Sequence, residues 1–215
     1  TGGGKTEAYL GLSAYTMGLR RLQGNVAGRS GENGVAVLMR YTLRLLTIQQ
    51  FQRATALICA CESIRRKALE QGDKRWGETP FRIGLWVGRR TTPNWTEDAA
   101  EAIKELRGNQ YSAAAAGLGT PYQLTTCPWC GSAIEPGKHL DAKPYPSDSA
   151  RTLTYCGDKF GQCLFSKRQA KDEGLPVVGV DEEIYRRLPT LLIATVDKFA
   201  QMPWKGEVQM LFGQV

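Results

Sequence analysis

The apolar positions of this chain fall into unbroken runs and helical stripes, and together they predict a mixed α/β fold. Val35-Ala36-Val37-Leu38-Met39 and Leu191-Leu192-Ile193-Ala194 are short runs without a polar interruption. A strand covered on both faces, as in a parallel sheet, needs that pattern because neither side meets water. Phe81 to Gly88 alternates and stops at glycine, which predicts a third strand. Over residues 5–22, Ala8, Leu12, Tyr15, Leu19 and Leu22 recur at steps of four and three. That spacing predicts a helix with this stripe turned inward. A longer helix is predicted over 44–71, burying Ile48, Phe51, Ala54, Ile58 and Cys61. Asn94-Trp95-Thr96-Glu97 opens a further helix, over 94–107, with acidic residues in its first turn. Gly24 to Gly34 reads as a polar surface loop and Ala113 to Gly119 as a small-residue linker. Residues 120–175 are rich in Cys, Gly, Pro and Lys but poor in aliphatics, so this stretch needs a staple to hold a shape.

Composition narrows the class. At 215 residues and 42% hydrophobic, the chain suits one large domain, or one domain with an insertion. No apolar run approaches the ~20 residues of a membrane span, and no signal peptide is recognisable. A formal charge of +7 suits a polyanionic partner such as nucleic acid. Six cysteines, at 59, 61, 127, 130, 156 and 163, without a secretory signal imply a reducing, cytoplasmic setting, in which metal ligation is favoured over disulfides.

The first chemistry lies at Thr1-Gly2-Gly3-Gly4-Lys5-Thr6, which has the shape of the end of a P-loop. Glycines let successive backbone N–H groups turn toward phosphate oxygens, and the following helix adds the positive end of its dipole. In that arrangement Thr1, Gly2, Gly3, Gly4, Lys5 and Thr6 cradle ATP. Lys5 reaches the β- and γ-phosphates, and the Thr6 hydroxyl holds Mg²⁺.

The second chemistry is Cys127-Pro128-Trp129-Cys130-Gly131, a C-P-x-C-G knuckle, followed by Cys156 and Cys163. Two thiolates three residues apart can bind one metal from a tight turn, and four make a closed structural Zn²⁺ site. His139, the sole histidine, could replace one thiolate, but a surface position accounts for it better. Lys138, Lys143, Lys159, Lys167, Arg168 and Lys171 surround the site, either as a solvated basic face or as a further contact to nucleic acid. Cys59 and Cys61 sit on the long helix, where C-x-C points the thiols apart, so they read as core residues.

Three stretches, TGGGKT, RYTLRLLTIQQ and LLIATVDKF, occur in this order. Together they resemble motif I, motif Ia and the TPGR/TPDK strand-end motif in the first RecA-like domain of superfamily 2 helicases. IGLWVG resembles the strand and glycine between them. The longer strings TGGGKTEAYLGL and LMRYTLRLLTIQQFQRA, with a cysteine insertion, resemble the helicase subunit of DISARM-type anti-phage systems. The resemblance covers residues 1–112 and 175–215, with 113–174 as a zinc-binding insertion. It implies a RecA-like P-loop domain from an ATP-dependent DNA helicase or translocase with Lys5 and Thr6 as catalytic residues. Thr42, Arg44 and Thr195 would grip the phosphates of one DNA strand, with Gln49 and Gln50 nearby, and other defence subunits would be partners.

The family also needs an Asp-Glu pair after an apolar strand. Asp181-Glu182 follows Val177-Val178-Gly179-Val180, but precedes TVDKF where the family's pair follows it. The expectation is therefore that Asp181 and Glu182 open a helix, and that the acidic motif and a second RecA domain lie beyond Val215. The chain alone is then expected not to turn over ATP. A nucleic-acid-binding zinc module on a P-loop scaffold without hydrolysis is the alternative.

Overall fold

The computed structural model describes residues 4–42, 44–108, 119–143 and 150–213, with the backbone alone at 44–46. The elements begin with α1 (Lys5–Gln23), a short pair β1 (Asn25–Val26) and β2 (Arg29–Ser30), β3 (Val37–Tyr41) and α2 (Arg44–Glu70). Next come β4 (Ile83–Trp86), α3 (Thr96–Arg107), a single turn α4 (Pro136–His139), and the antiparallel pair β5 (Leu140–Lys143) and β6 (Arg151–Thr154), called here the hairpin β5–β6. The chain continues with β7 (Val177–Val178), α5 (Asp181–Arg187), β8 (Leu191–Thr195), α6 (Val196–Gln201) and two 3-10 segments, Met202–Trp204 and Gly206–Phe212.

β3, β8, β4 and β7 form a parallel sheet in that order. The unbroken run in β8 is explained by its place: it lies between β3 and β4 and is buried throughout. Its side chains divide with a period of two. Leu191 and Ile193 join Ile83, Leu85, Phe51, Ala54 and Ile58 on the face covered by α1 and α2. Leu192 and Ala194 join Trp86, Ile184, Tyr185, Val208 and Leu211 on the opposite face, under α5 and the final 3-10 segment. The predicted alternation around Ile83–Trp86 becomes burial at every position, because both faces of β4 are covered.

α2 matches its expected span and buries Phe51, Ala54 and Ile58 fully, with Ile48 and Cys61 half-buried. α1 corrects the sequence reading. Leu12, Tyr15, Leu19 and Leu22 are exposed, as is Tyr9, while Ser13, Met17 and Arg21 face the core. The Arg21 side chain is buried in their place. Its guanidinium lies 4.4 Å from the Phe81 ring centroid and donates to the carbonyls of Trp76 (3.2 Å) and Thr79 (2.8 Å) and to Glu32. The exposed stripe borders a groove of about 480 Å³ between α1 and β3, whose outer edge pairs with no strand among the described residues.

The cysteine segment shares a core with the sheet domain rather than standing apart. Leu124, Ile134, Leu140, Phe165 and Leu175 pack in the same cluster as Phe51 and Ile58. This solves the shortage of aliphatics: α2 lends its apolar flank. Of the expected linker from Ala113 to Gly119, residues 113–118 lie outside the described residues.

Candidate functional site

Parallel pairing puts the carboxyl ends of the strands on one edge, where ligands of open α/β sheets bind. Tyr41 and Thr195 are register partners, so Thr42 and Thr195 share that edge. α1 runs antiparallel to β3, because Arg20 near its end donates to the carbonyls of Asn33 and Gly34, just before β3 begins. Tyr9, one turn from the start of α1, borders the same groove as Tyr41. The start of α1 therefore lies at the carboxyl edge with Thr42 and Thr195. Gly4 there has φ 68° and nothing within 4 Å of where a side chain would project. Lys5 is exposed and Thr6 half-buried. Glu7 forms an ion pair with Arg53, tying the first turn of α1 to α2.

The predicted phosphate-gripping residues differ in access. Thr42 is exposed. Thr195 precedes the first turn of α6 without a capping hydrogen bond, is 8% exposed, and its hydroxyl has no partner among the described residues. Thr1, Gly2, Gly3 and the Arg44 side chain lie outside the described residues. The donor set at Gly4, Lys5 and Thr6 fits a nucleotide phosphate: an open left-handed glycine, a solvent-facing ammonium and a hydroxyl at the start of a 19-residue helix.

Asp181 and Glu182 are occupied by protein groups. Asp181 is ion-paired with Lys198, and both are buried. Burial pushes the Asp181 carboxyl above its ordinary range even against this ammonium. Glu182 accepts from the Thr96 backbone N–H (3.0 Å) and hydroxyl (2.9 Å) and pairs with Arg186 at 3.2 Å. Both residues open α5, as expected.

The four predicted metal ligands converge. The Sγ atoms of Cys127, Cys130, Cys156 and Cys163 lie within 4.8 Å of one another. Cys130 and Cys156 are 3.3 Å apart, and Cys127 and Cys163 are 4.0 Å apart. A tetrahedral zinc with Zn–S bonds of about 2.3 Å has S···S edges of about 3.8 Å, so the cage matches that ion. The first pair sits on a turn closed by the Gly131 N–H to the Cys127 carbonyl (2.9 Å), with Gly131 at φ 80°. In the second, the Asp158 carboxylate accepts from the Cys163 backbone N–H at 2.8 Å. Gly157 lets the two halves meet, since a side chain there would strike the Ala133 carbonyl. Burial opposes ionisation of Cys130, yet hydrogen bonds with Ser132, Cys156 and Cys163 outweigh it and hold its pKa at about 7. Burial pushes the Cys156 and Cys163 thiols up, a direction that a bound dication reverses. His139 stands apart from the four thiols, its Nδ1 accepting from the Glu135 N–H at 2.8 Å. Cys59 is fully buried and Cys61 half-buried, and neither belongs to the four-sulfur group.

Sequence reasoning missed the hairpin β5–β6 and the buried charges that dock it. Glu183 accepts from the Thr152 N–H at 2.8 Å and faces Arg187. Glu173 binds Arg82 and Arg151 at 3.2 and 3.3 Å. Apart from the Glu183–Arg187 pair within α5, no local motif marks these contacts, because Thr152, Arg82 and Arg151 lie 22 to 91 residues from the carboxylates they meet.

No helix among the described residues is long and apolar enough to cross a membrane. No family model matches the chain. It is 40% identical over 226 aligned residues to the DISARM protein DrmA of Bacillus paralicheniformis. The alignment takes in 100% of this chain but 18% of that protein, so the chain spans less than a fifth of DrmA. Identity at this level along the whole chain supports a DISARM-type relationship.

Proposed function

We propose that the chain is the nucleotide- and strand-gripping part of an ATP-dependent superfamily 2 DNA helicase or translocase, built on a RecA-like domain and held by a structural zinc. The observation that carries this reading is the sharing of one sheet edge by the start of α1, Thr42 and Thr195. Gly4 and Lys5 would hold the phosphates of ATP and Thr6 its Mg²⁺, which supplies charge neutralisation at the transferring phosphoryl group. Thr42, Arg44 and Thr195 would hold one strand by its backbone, without reading sequence. Glu7 and Arg53 would transmit a change at the first turn of α1 to α2. Cys127, Cys130, Cys156 and Cys163 would carry the zinc, which crosslinks a segment short of core residues. The likeness to a DISARM protein supports a role in anti-phage defence beside other subunits.

The engagement of Asp181 and Glu182 by Lys198, Thr96 and Arg186 favours a second reading, a P-loop scaffold that binds nucleic acid without hydrolysis. One assay separates the two. Phosphate release by the longer protein is measured with and without single-stranded DNA, for wild type and Lys5→Ala. Stimulated release that vanishes in Lys5→Ala is expected; unaltered release in the variant refutes the assignment of Lys5. Absence of release from wild type favours the second reading.

A further inference from the structure

Two aromatic side chains stand out from the cysteine module. Phe160 is 78% exposed and Trp129 is 43% exposed, and they are its exposed large hydrophobic residues among those described. They ride on the two loops whose thiols converge, Trp129 between Cys127 and Cys130, Phe160 between Cys156 and Cys163.

Neither ring sits on a loose tip. The Asp158 carboxylate accepts from the N–H groups of Phe160 (3.0 Å), Gln162 (2.7 Å) and Cys163 (2.8 Å). The Gly161 carbonyl accepts from Ser166 Oγ (3.3 Å) and Gln169 Nε2 (3.2 Å). Trp129 is set edge-on against buried Phe165, with centroids 6.0 Å apart and planes at 81°. A loop braced this firmly around a ring left 78% exposed keeps apolar surface in water at a cost to the fold alone.

The surrounding charge indicates the occupant. Lys159 precedes Phe160, and the Arg168 stem lies along Gly161, next to it. Arg168 has no ion pair among the described residues. The nearby acids are engaged: Asp158 with backbone N–H groups, Glu135 with Lys138 at 2.6 Å, and Asp141 with Arg107 at 3.5 Å and Lys167 at 3.8 Å. Phe160 with two cations beside it, Trp129 on the facing knuckle, and no other exposed large hydrophobic residue among those described in the module suit bases and phosphates better than an apolar peptide.

We propose that this face is a stacking platform for a single nucleic-acid strand, with bases on Phe160 and Trp129 and phosphates on Lys159 and Arg168. Ring faces accept any base and cations any phosphate, so binding there is tolerant of sequence. The proposal rests on the nucleic-acid reading above and adds a second contact surface, on the cysteine module, to the sheet edge.

The test uses the zinc-loaded chain and the anisotropy of a labelled oligothymidylate at low salt. Phe160→Ala and Trp129→Ala should each weaken binding about 5- to 150-fold, the range for losing one stacked base. Phe160→Tyr should restore it, and a duplex should compete poorly because its bases are already stacked. Zinc content and melting temperature, measured alongside, report on the fold. Wild-type binding that neither alanine variant weakens overturns this proposal and leaves the sheet edge standing, the outcome expected if the rings dock a protein. Failure of the wild type to bind any strand removes the nucleic-acid reading with it.

Discussion

The Lys198–Asp181 pair lets a structural account of Asp181 be separated from a catalytic one. Lys198 lies on α6, 4% exposed, and Asp181 opens α5, 3% exposed. The ammonium also lies 5.8 Å from the Trp86 ring centroid. Lys198→Met keeps the stem and removes the charge, leaving a buried carboxylate without its ion-pair partner. Removing one partner of a buried pair costs about 3–5 kcal/mol. For a chain of this size 1 kcal/mol moves Tm by about 2–4 °C, so a fall of roughly 6–20 °C is expected. Asp181→Asn/Lys198→Met, which removes both charges, should regain most of that loss. The sign of the pH dependence follows from the raised carboxyl of Asp181. Its folded pKa lies above the unfolded value of about 3.9, and higher still without Lys198, so the deficit of Lys198→Met should grow as pH rises from there and shrink as acid neutralises Asp181. Thermal melts at several pH values provide the measurement. A Tm within about 2 °C of wild type for Lys198→Met, or a double variant no better than the single, would show that the pair is not coupled and reopen a catalytic role for Asp181.

The remaining expectations address the metal and the core. Purified chain should hold about one equivalent of zinc, and Cys127→Ser should release it; full retention after loss of both Cys127 and Cys130 would exclude the four-thiolate site. Burial holds the Glu183 carboxyl at about 7, so its contribution to stability is complete below its unfolded pKa near 4.5 and lost as pH rises through 7. Glu183→Gln should flatten this slope and exceed wild type by about 3 kcal/mol at pH 8 in denaturant melts, and an unchanged slope would contradict the assignment. Ile193→Ala, at a fully buried position, should cost about 2–5 kcal/mol, and a loss below about 1 kcal/mol would mean that the two-faced burial of β8 is misread.

What could be read in advance depended on whether the signal was local. β8 and α2 declare themselves, the first by an unbroken run that only two-sided burial tolerates, the second by a long stripe through Phe51 and Ile58. The four thiols were also legible, since C-P-x-C-G already sets a turn. The face of α1 was not. Periodicity identifies an apolar side but not which neighbour covers it. Arg21 is buried only because the ring of Phe81 and two carbonyls some 55 and 58 residues away receive it. The hairpin β5–β6 escaped for a related reason: Leu140-Asp141-Ala142-Lys143 and Arg151-Thr152-Leu153-Thr154 are short and mostly polar, and their pairing depends on packing against α3 and Glu183. For the sheet edge, the residue types were visible but the approach of α1 to Thr42 and Thr195 required the parallel register.

The open side of β3 bears on how the polypeptide behaves in a test tube. A row of backbone donors and acceptors borders a groove flanked by Tyr9 and Leu12, with Tyr15, Leu19 and Leu22 further along the same helix. Arg40 is the one charged side chain on that strand. An edge so lightly guarded is a template for pairing between molecules. Preparations of this polypeptide alone should therefore grow turbid with concentration and warmth. Leu12→Lys and Tyr15→Lys, which place charge beside the groove without touching the core, should keep them clear.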